Sequence, residues 1–218
     1  MSAPRERALE VRRTARYFEL GGETPGGPPP GELWYVLHGY GQLALDVAQG
    51  LAFLGTHARR LVIPEGLSRF YRDGTSGSVG ASWMTKVARE AEIADYVAYL
   101  DLLHARVRAD LGGAPAVTLL GFSQGTATAS RWAAQGGVRA ERIFLWGGGL
   151  PPDVDLAAHA EAFGGLSFVA GERDPWITPE RLAEERARVE AAGLAFRLET
   201  FDGGHRLDDG LLRSLAAR

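Results

Sequence analysis

Short apolar runs recur along this chain, each closed by a turn signal and each followed by a helical stretch. Leu33 to Leu37 (LWYVL) ends in His38-Gly39, and Leu61 to Ile63 is closed by Pro64. Ala116 to Leu120 (AVTLL) runs into Gly121. Ile143 to Trp146 ends in three glycines, and Leu166 to Ala170 (LSFVA) in Gly171. Runs this short, apolar without alternation, read as strands buried on both faces. Arg12 to Leu20 and Leu194 to Phe201 have β-compatible character and bring the count to seven. The intervening stretches read as helices. Leu43 to Leu54 is one. Ile93, Val97, Leu100, His104, Val107 and Leu111 recur every three or four residues, one stripe of a long amphipathic helix that Gly112-Gly113 ends. A small-residue helix follows Ser123. Pro179 to Ala192 has proline in its first turn and Thr178 as its N-cap, and Leu207 to Ala217 is a short last helix. Strands alternating with helices form βαβ units. The expected fold class is therefore α/β: a mostly parallel seven-stranded sheet with helices on both faces. Such sheets bind ligands at the carboxyl ends of their strands.

Composition narrows the chemistry. A chain of 218 residues suits a single domain, 1–218. Cysteine is absent, which excludes disulfides, thiolate metal sites and a cysteine nucleophile. Lys86 is the only lysine, and its surroundings suit neither a P-loop nor a Schiff base. A net charge of −3 provides no global field for nucleic acid or an anionic membrane. No apolar run approaches the roughly 18 residues of a membrane helix, so no integral membrane segment is expected. Met1 to Arg7 is charged with no apolar stretch behind it, which argues against a secretory signal; the expected location is cytoplasmic. Glycine is in surplus, at 29 residues, and Gly21 to Gly31 (GGETPGGPPPG) reads as a surface connection between the first two strands.

The strongest chemical signal is Gly121-Phe122-Ser123-Gln124-Gly125. It follows the strand AVTLL and opens a helix, the context a G-x-S-x-G nucleophile elbow requires. A serine hydroxyl needs a base. Of the five histidines, His104 falls on the apolar helical stripe and reads as structural. His205 follows the last strand after Gly203-Gly204 and is the candidate base. The base needs an acid to hold its tautomer. Asp174, just past the strand LSFVA, is preferred over Glu172, Asp153 and Asp202, and completes the chain order Ser123, Asp174, His205. An oxyanion needs two backbone N–H donors. The candidates are those of Gln124, after the nucleophile, and of Tyr40, in the loop His38-Gly39-Tyr40-Gly41-Gln42.

These residues resemble the carboxylesterase/phospholipase group of α/β-hydrolases, which includes acyl-protein thioesterases. The matching stretches are LHGYG (37–41), the Pro64…Ser82-Trp83 loop, LLGFSQG (119–125), GERDPWITPE (171–180) and GGH (203–205). The resemblance implies a small α/β-hydrolase core acting on carboxylic esters or thioesters, with no cofactor, no metal and no cap domain. Only 19 residues, 147–165, separate two of the strands, too few for a cap. The chain departs from the pattern at Thr126, where a second glycine is common, at Trp176-Ile177-Thr178 after the acid, and at aromatic Tyr40.

The long connection 64–85 is expected to overhang the site, with Trp83 walling the acyl pocket; Met84, Leu150 and Trp176 complete the expected lining. The expected reaction is hydrolysis of esters with small to medium acyl groups through an acyl-enzyme on Ser123. A lysophospholipase, thioesterase or acyltransferase would use the same triad. A dehalogenase or epoxide hydrolase would need aspartate at the elbow. A non-catalytic ligand-binding member of the fold is the remaining alternative. The expected partner is a small-molecule ester or thioester, and the chain is expected to be a monomer or homodimer.

Overall fold

The computed structural model describes residues 3–22 and 27–218. Met1-Ser2 and residues 23–26 of the Gly21–Gly31 connection lie outside the described residues. Seven strands form one sheet: β1 (Tyr17–Leu20), β2 (Glu32–Leu37), β3 (Arg59–Pro64), β6 (Ala116–Phe122), β7 (Arg142–Trp146), β8 (Leu166–Gly171) and β9 (Arg197–Phe201). Two more, β4 (Ser68–Tyr71) and β5 (Val79–Ser82), form a separate antiparallel hairpin. The sheet order is β1-β3-β2-β6-β7-β8-β9. Only β1 runs antiparallel to its neighbour.

The inner strands β2, β6, β7 and β8 are mainly apolar because both faces are covered, whereas the edge strands β1 and β9 carry exposed polar residues. Along β2, Leu33, Tyr35 and Leu37 enter one core, with Leu100 and Val107 of α2 (Arg89–Leu111), Trp132 of α3 (Gln124–Gln135) and Val189 of α4 (Pro179–Ala191). Trp34 and Val36 enter the other, with Val47 of α1 (Ala44–Gly50) and Leu212 and Leu215 of α5 (Asp209–Ala216). Each fully buried Leu, Val or Phe side chain contributes about 1.5–3 kcal/mol. The strand's period of two thus divides one apolar run between two cores. The stripe read from Ile93 to Leu111 is the buried side of α2. Its His104 is half-buried, with Nδ1 hydrogen-bonded to the Tyr35 hydroxyl at 2.9 Å, and burial pushes its pKa down. Among the described residues, no helix is long and apolar enough to cross a membrane.

Boundaries moved where tertiary pairing ran out. β1 is confined to Tyr17–Leu20, because its partner β3 ends at Pro64, opposite Tyr17. β9 starts at Arg197; Leu194 and Phe196 instead pack against the helix-side core. Side-chain oxygens cap α4 and α5. Thr178 Oγ1 accepts from Arg181 N at 3.3 Å, and Asp208 Oδ1 from Leu211 N at 3.0 Å. The connection 64–85 is not a plain loop: its middle is the β4–β5 hairpin.

Candidate active site

The turn from β6 into α3 places Ser123 at φ 53°, ψ −115°, a backbone region L-residues avoid. Such strain costs about 1–3 kcal/mol and persists only when the surroundings hold it. Here Ser123 N donates to Trp146 O at 2.8 Å. Ser123 O accepts from Thr126 N at 3.0 Å and from Thr126 Oγ1 at 2.7 Å. Thr126, where the family pattern commonly has glycine, therefore brings a second bond to the strained residue. Gly125 is required by close approach: a Cβ there would run into the Leu37 carbonyl oxygen.

His205 and Asp174 come together from the ends of β9 and β8. His205 Nδ1 lies 2.7 Å from Asp174 Oδ2. An ionised carboxylate only accepts, so Nδ1 carries the proton and the Nε2 lone pair is left free. Asp174 is buried, and its Oδ1 accepts from Trp176 N at 2.9 Å. The rival acids are otherwise engaged. Asp153 is bound bidentately by Arg131, which with Arg89 holds its carboxyl well below the usual range. Asp202 pairs with Arg173, and Glu172 accepts from Thr200 Oγ1. The loop after β7 joins serine to histidine. A Cβ on Gly147 would stand 3.1 Å from His205 Cε1, and one on Gly148 2.8 Å from Ser123 O. The Phe122 and His205 rings lie 5.0 Å apart. Among the described residues Ser123 Oγ makes no hydrogen bond to His205. Ser123 and His205 are brought near one another by the loop after β7, whose Gly147 abuts the His205 ring and whose Gly148 abuts the Ser123 carbonyl.

The loop after β2 lies beside the elbow, with Gly39 against the Phe122 ring, and its shape is over-determined. Gly66 N–H can only donate, so His38 Nε2 accepts it at 2.9 Å; Nδ1–H then donates to Gly39 O at 2.8 Å. His38 is neutral and buried, and burial pushes its pKa down. Gly39 N donates to Gln42 Oε1 at 2.7 Å. Gly41, at φ 75°, donates to Ala81 O at 2.8 Å, while Ala81 N donates to Gln42 O at 3.2 Å. β5 is thereby stitched to this loop. Its far end is stitched to the elbow by the Gln124 side chain. Gln124 Oε1 accepts from Trp83 N at 3.1 Å, and Nε2 donates to Met84 O at 2.9 Å and Ser82 Oγ at 3.2 Å. The segment Ala81–Met84 thus spans the two stretches that carry the Tyr40 and Gln124 amides. No protein acceptor among the described residues takes either amide.

The expected pocket residues separate. Trp83 is 2% exposed: its ring stacks on His38 at 4.9 Å and its Nε1 donates to His38 O at 2.9 Å. It packs against His38 of the loop after β2, so that its indole supports that loop. Met84 is half-buried, with its sulfur accepting from Arg131. Leu150 is buried and its carbonyl accepts from Arg188 Nη1 at 2.9 Å. Trp176 is 64% exposed, one residue beyond Pro175 from Asp174. Two features escaped sequence reading. The Gln124 splint left no signal, because its partners lie about forty positions away. The hairpin did leave one: SRFY and VGAS flank a glycine-rich turn. A third feature is Glu185 of α4. Its carboxyl abuts Gly149 and faces the Leu150 amide; its Oε2 is buried without a hydrogen bond, and burial pushes its pKa up.

No family model and no curated protein matches the chain. Solved structures do. The esterase PE8 superposes over 95% of this chain and 97% of its own, at 20% identity and TM-score 0.68. The acyl-protein thioesterase 2 of Zea mays superposes over 94% and 97%, at 17% identity and TM-score 0.65. The carboxylesterase of Bacillus cereus superposes over 93% and 92%, at 16% identity and TM-score 0.64. At these identities the likeness establishes architecture. The chain has the α/β-hydrolase fold, with no cap domain among the described residues, and the structures it resembles fall in the group that its motifs resemble.

Proposed function

We propose that the protein is a serine hydrolase that cleaves carboxylic esters with small to medium acyl groups through an acyl-enzyme. The observation that carries this reading is the pairing of a strained Ser123 with a His205 whose Nδ1 is tied to buried Asp174 at 2.7 Å. In the first half-reaction His205 Nε2 takes the Ser123 hydroxyl proton as Oγ bonds to the ester carbonyl carbon. The carbonyl oxygen becomes an oxyanion, received by the N–H groups of Tyr40 and Gln124. One such donor is typically worth about 3–4 kcal/mol. The tetrahedral adduct collapses, the bond to the leaving oxygen breaks, and His205 returns the proton to the departing alcohol. Water then repeats the sequence: its proton goes to His205, its oxygen to the acyl carbon, and Ser123 leaves reprotonated. Asp174 stays ionised and stabilises the imidazolium formed in each half-reaction.

Thioesters are a second substrate class for the same steps, since a thiolate leaves more readily than an alkoxide. The acyl-protein thioesterase among the similar structures supports testing them. The test uses 4-nitrophenyl butyrate, a butyryl thioester and a fluorophosphonate probe. The wild type should hydrolyse at least one substrate and take up one equivalent of probe, and Ser123→Ala should do neither. Labelling retained by Ser123→Ala, or a wild type inert to the probe and both substrates, would overturn the reading.

A further inference from the structure

We propose that the β4–β5 hairpin carries a subsite at Arg72 for an anionic group of the substrate, a carboxylate or phosphate borne by the ester a few bonds from its carbonyl. The inference rests on the hydrolase reading above and assigns that site a substrate class. It begins with backbone. β5 is bonded to the loop after β2 through Gly41 and Gln42, and a Cβ on Gly80 would stand 2.6 Å from Gly41 O, so the hairpin lies directly on that loop. Phe70 pairs across the hairpin with Gly80 and is carried to Tyr40; their rings stack at 5.1 Å, 30° apart. The ladder continues one step further, with Arg72 N donating to Ser78 O at 2.8 Å.

Arg72 is exposed, and its Nε stands 3.9 Å from the point a Cβ on Gly41 would occupy, so the guanidinium lies beside the loop while facing solvent. Its charge is uncompensated. The other arginine of the hairpin, Arg69, donates to Glu65 at 3.0 Å, and Arg16 approaches the same carboxylate. Arg72 makes no ion pair among the described residues, and the adjacent Asp73 accepts from Ser78 Oγ at 3.1 Å. A guanidinium presents a planar fork suited to carboxylate or phosphate. Here it stands beside the residue next to Tyr40, whose N–H is the proposed oxyanion donor. Tyr40 is 61% exposed on its Phe70 support and offers a flat apolar surface beside it. An ester with a neutral chain would use the aromatic surface and leave the cation idle; an ester with an anionic end would use both.

The test compares three esters in the wild type, Arg72→Gln and Arg72→Lys: 4-nitrophenyl hexanoate, the mono-4-nitrophenyl ester of adipic acid, and 4-(hexanoyloxy)benzoate. The second carries the anion on the acyl side and the third on the leaving group. Each anionic ester is scored as its kcat/KM over that of the neutral ester, and the change in this ratio between enzymes cancels intrinsic reactivity. At least one ratio should fall by about fivefold or more in Arg72→Gln, be partly restored in Arg72→Lys, and decline with added salt in the wild type. Which ratio falls identifies the side on which the anion sits. Both ratios staying within about twofold in Arg72→Gln would overturn the subsite while leaving the hydrolase reading intact. A wild type that turns over none of the esters and takes no fluorophosphonate would instead defeat the reading beneath it.

Discussion

Replacing Gln124 by methionine removes the splint between elbow and oxyanion loop while keeping the length of the side chain and the backbone amide. The bonds lost are to Trp83 N at 3.1 Å, Met84 O at 2.9 Å and Ser82 Oγ at 3.2 Å. Three hydrogen bonds at about 0.5–1.5 kcal/mol each amount to roughly 2–4 kcal/mol. In a chain of this length that lowers Tm by about 5–12 °C. The kinetic effect has a different origin. Both proposed oxyanion donors remain, but the segment Ala81–Met84 that spaces them is released at one end. Losing a whole donor costs about a hundredfold or more in kcat; a displaced one should cost about tenfold. The loss should fall on kcat and leave KM within about twofold, because the oxyanion exists only beyond the ground state. Thermal unfolding by circular dichroism and steady-state hydrolysis of 4-nitrophenyl butyrate measure both. A variant that melts within about 2 °C of the wild type and keeps kcat within about twofold would refute the splint.

Trp83→Phe keeps the ring stacked on His38 but loses the Nε1 bond to His38 O, so Tm should fall by a few degrees, from about 1 kcal/mol. The acyl-length profile from acetate to octanoate should not change; a shifted preference would return Trp83 to the pocket wall. Glu185→Gln addresses pH. Burial raises the folded-state pKa of Glu185, so between the ordinary glutamate range and that raised value the unfolded chain has released a proton that the native one retains. This contribution to stability is present at low pH and lost as pH rises through the folded pKa. The variant should therefore melt higher than the wild type near about pH 8 and lose that advantage near about pH 4; a lower Tm at the higher pH would contradict the burial argument.

The strands and the candidate site residues were legible for different reasons. Burial on both faces leaves an apolar run, and LWYVL, AVTLL and LSFVA carry that mark in the residues themselves. The elbow is equally local, since Gly121 and Gly125 flank Ser123 within one turn. Asp174 was separable from Glu172 and Asp202 only by its offset from a strand end. Asp153 is paired with Arg131 and Asp202 with Arg173, while Asp174 is the acid that meets His205. The partner of Trp83 was not legible, because a tryptophan on a long connection shows no contact in the sequence. Once β5 is bonded to the loop after β2, Trp83 is carried over His38 and buried.

By itself, the sequence determined the layered α/β architecture and offered Ser123, Asp174 and His205 as the candidate triad in that chain order. Both follow from short-range rules: side-chain period, turn chemistry and the backbone a nucleophile elbow demands. The tertiary structure alone decided what surrounds those residues. It set the splint of Gln124 on Ser82–Met84, placed the Tyr40–Phe70 pair, brought Arg72 beside Gly41 and set Glu185 against Gly149. Each of these contacts joins residues about thirty or more positions apart, and their meeting depends on how the hairpin and the helices dock on the sheet.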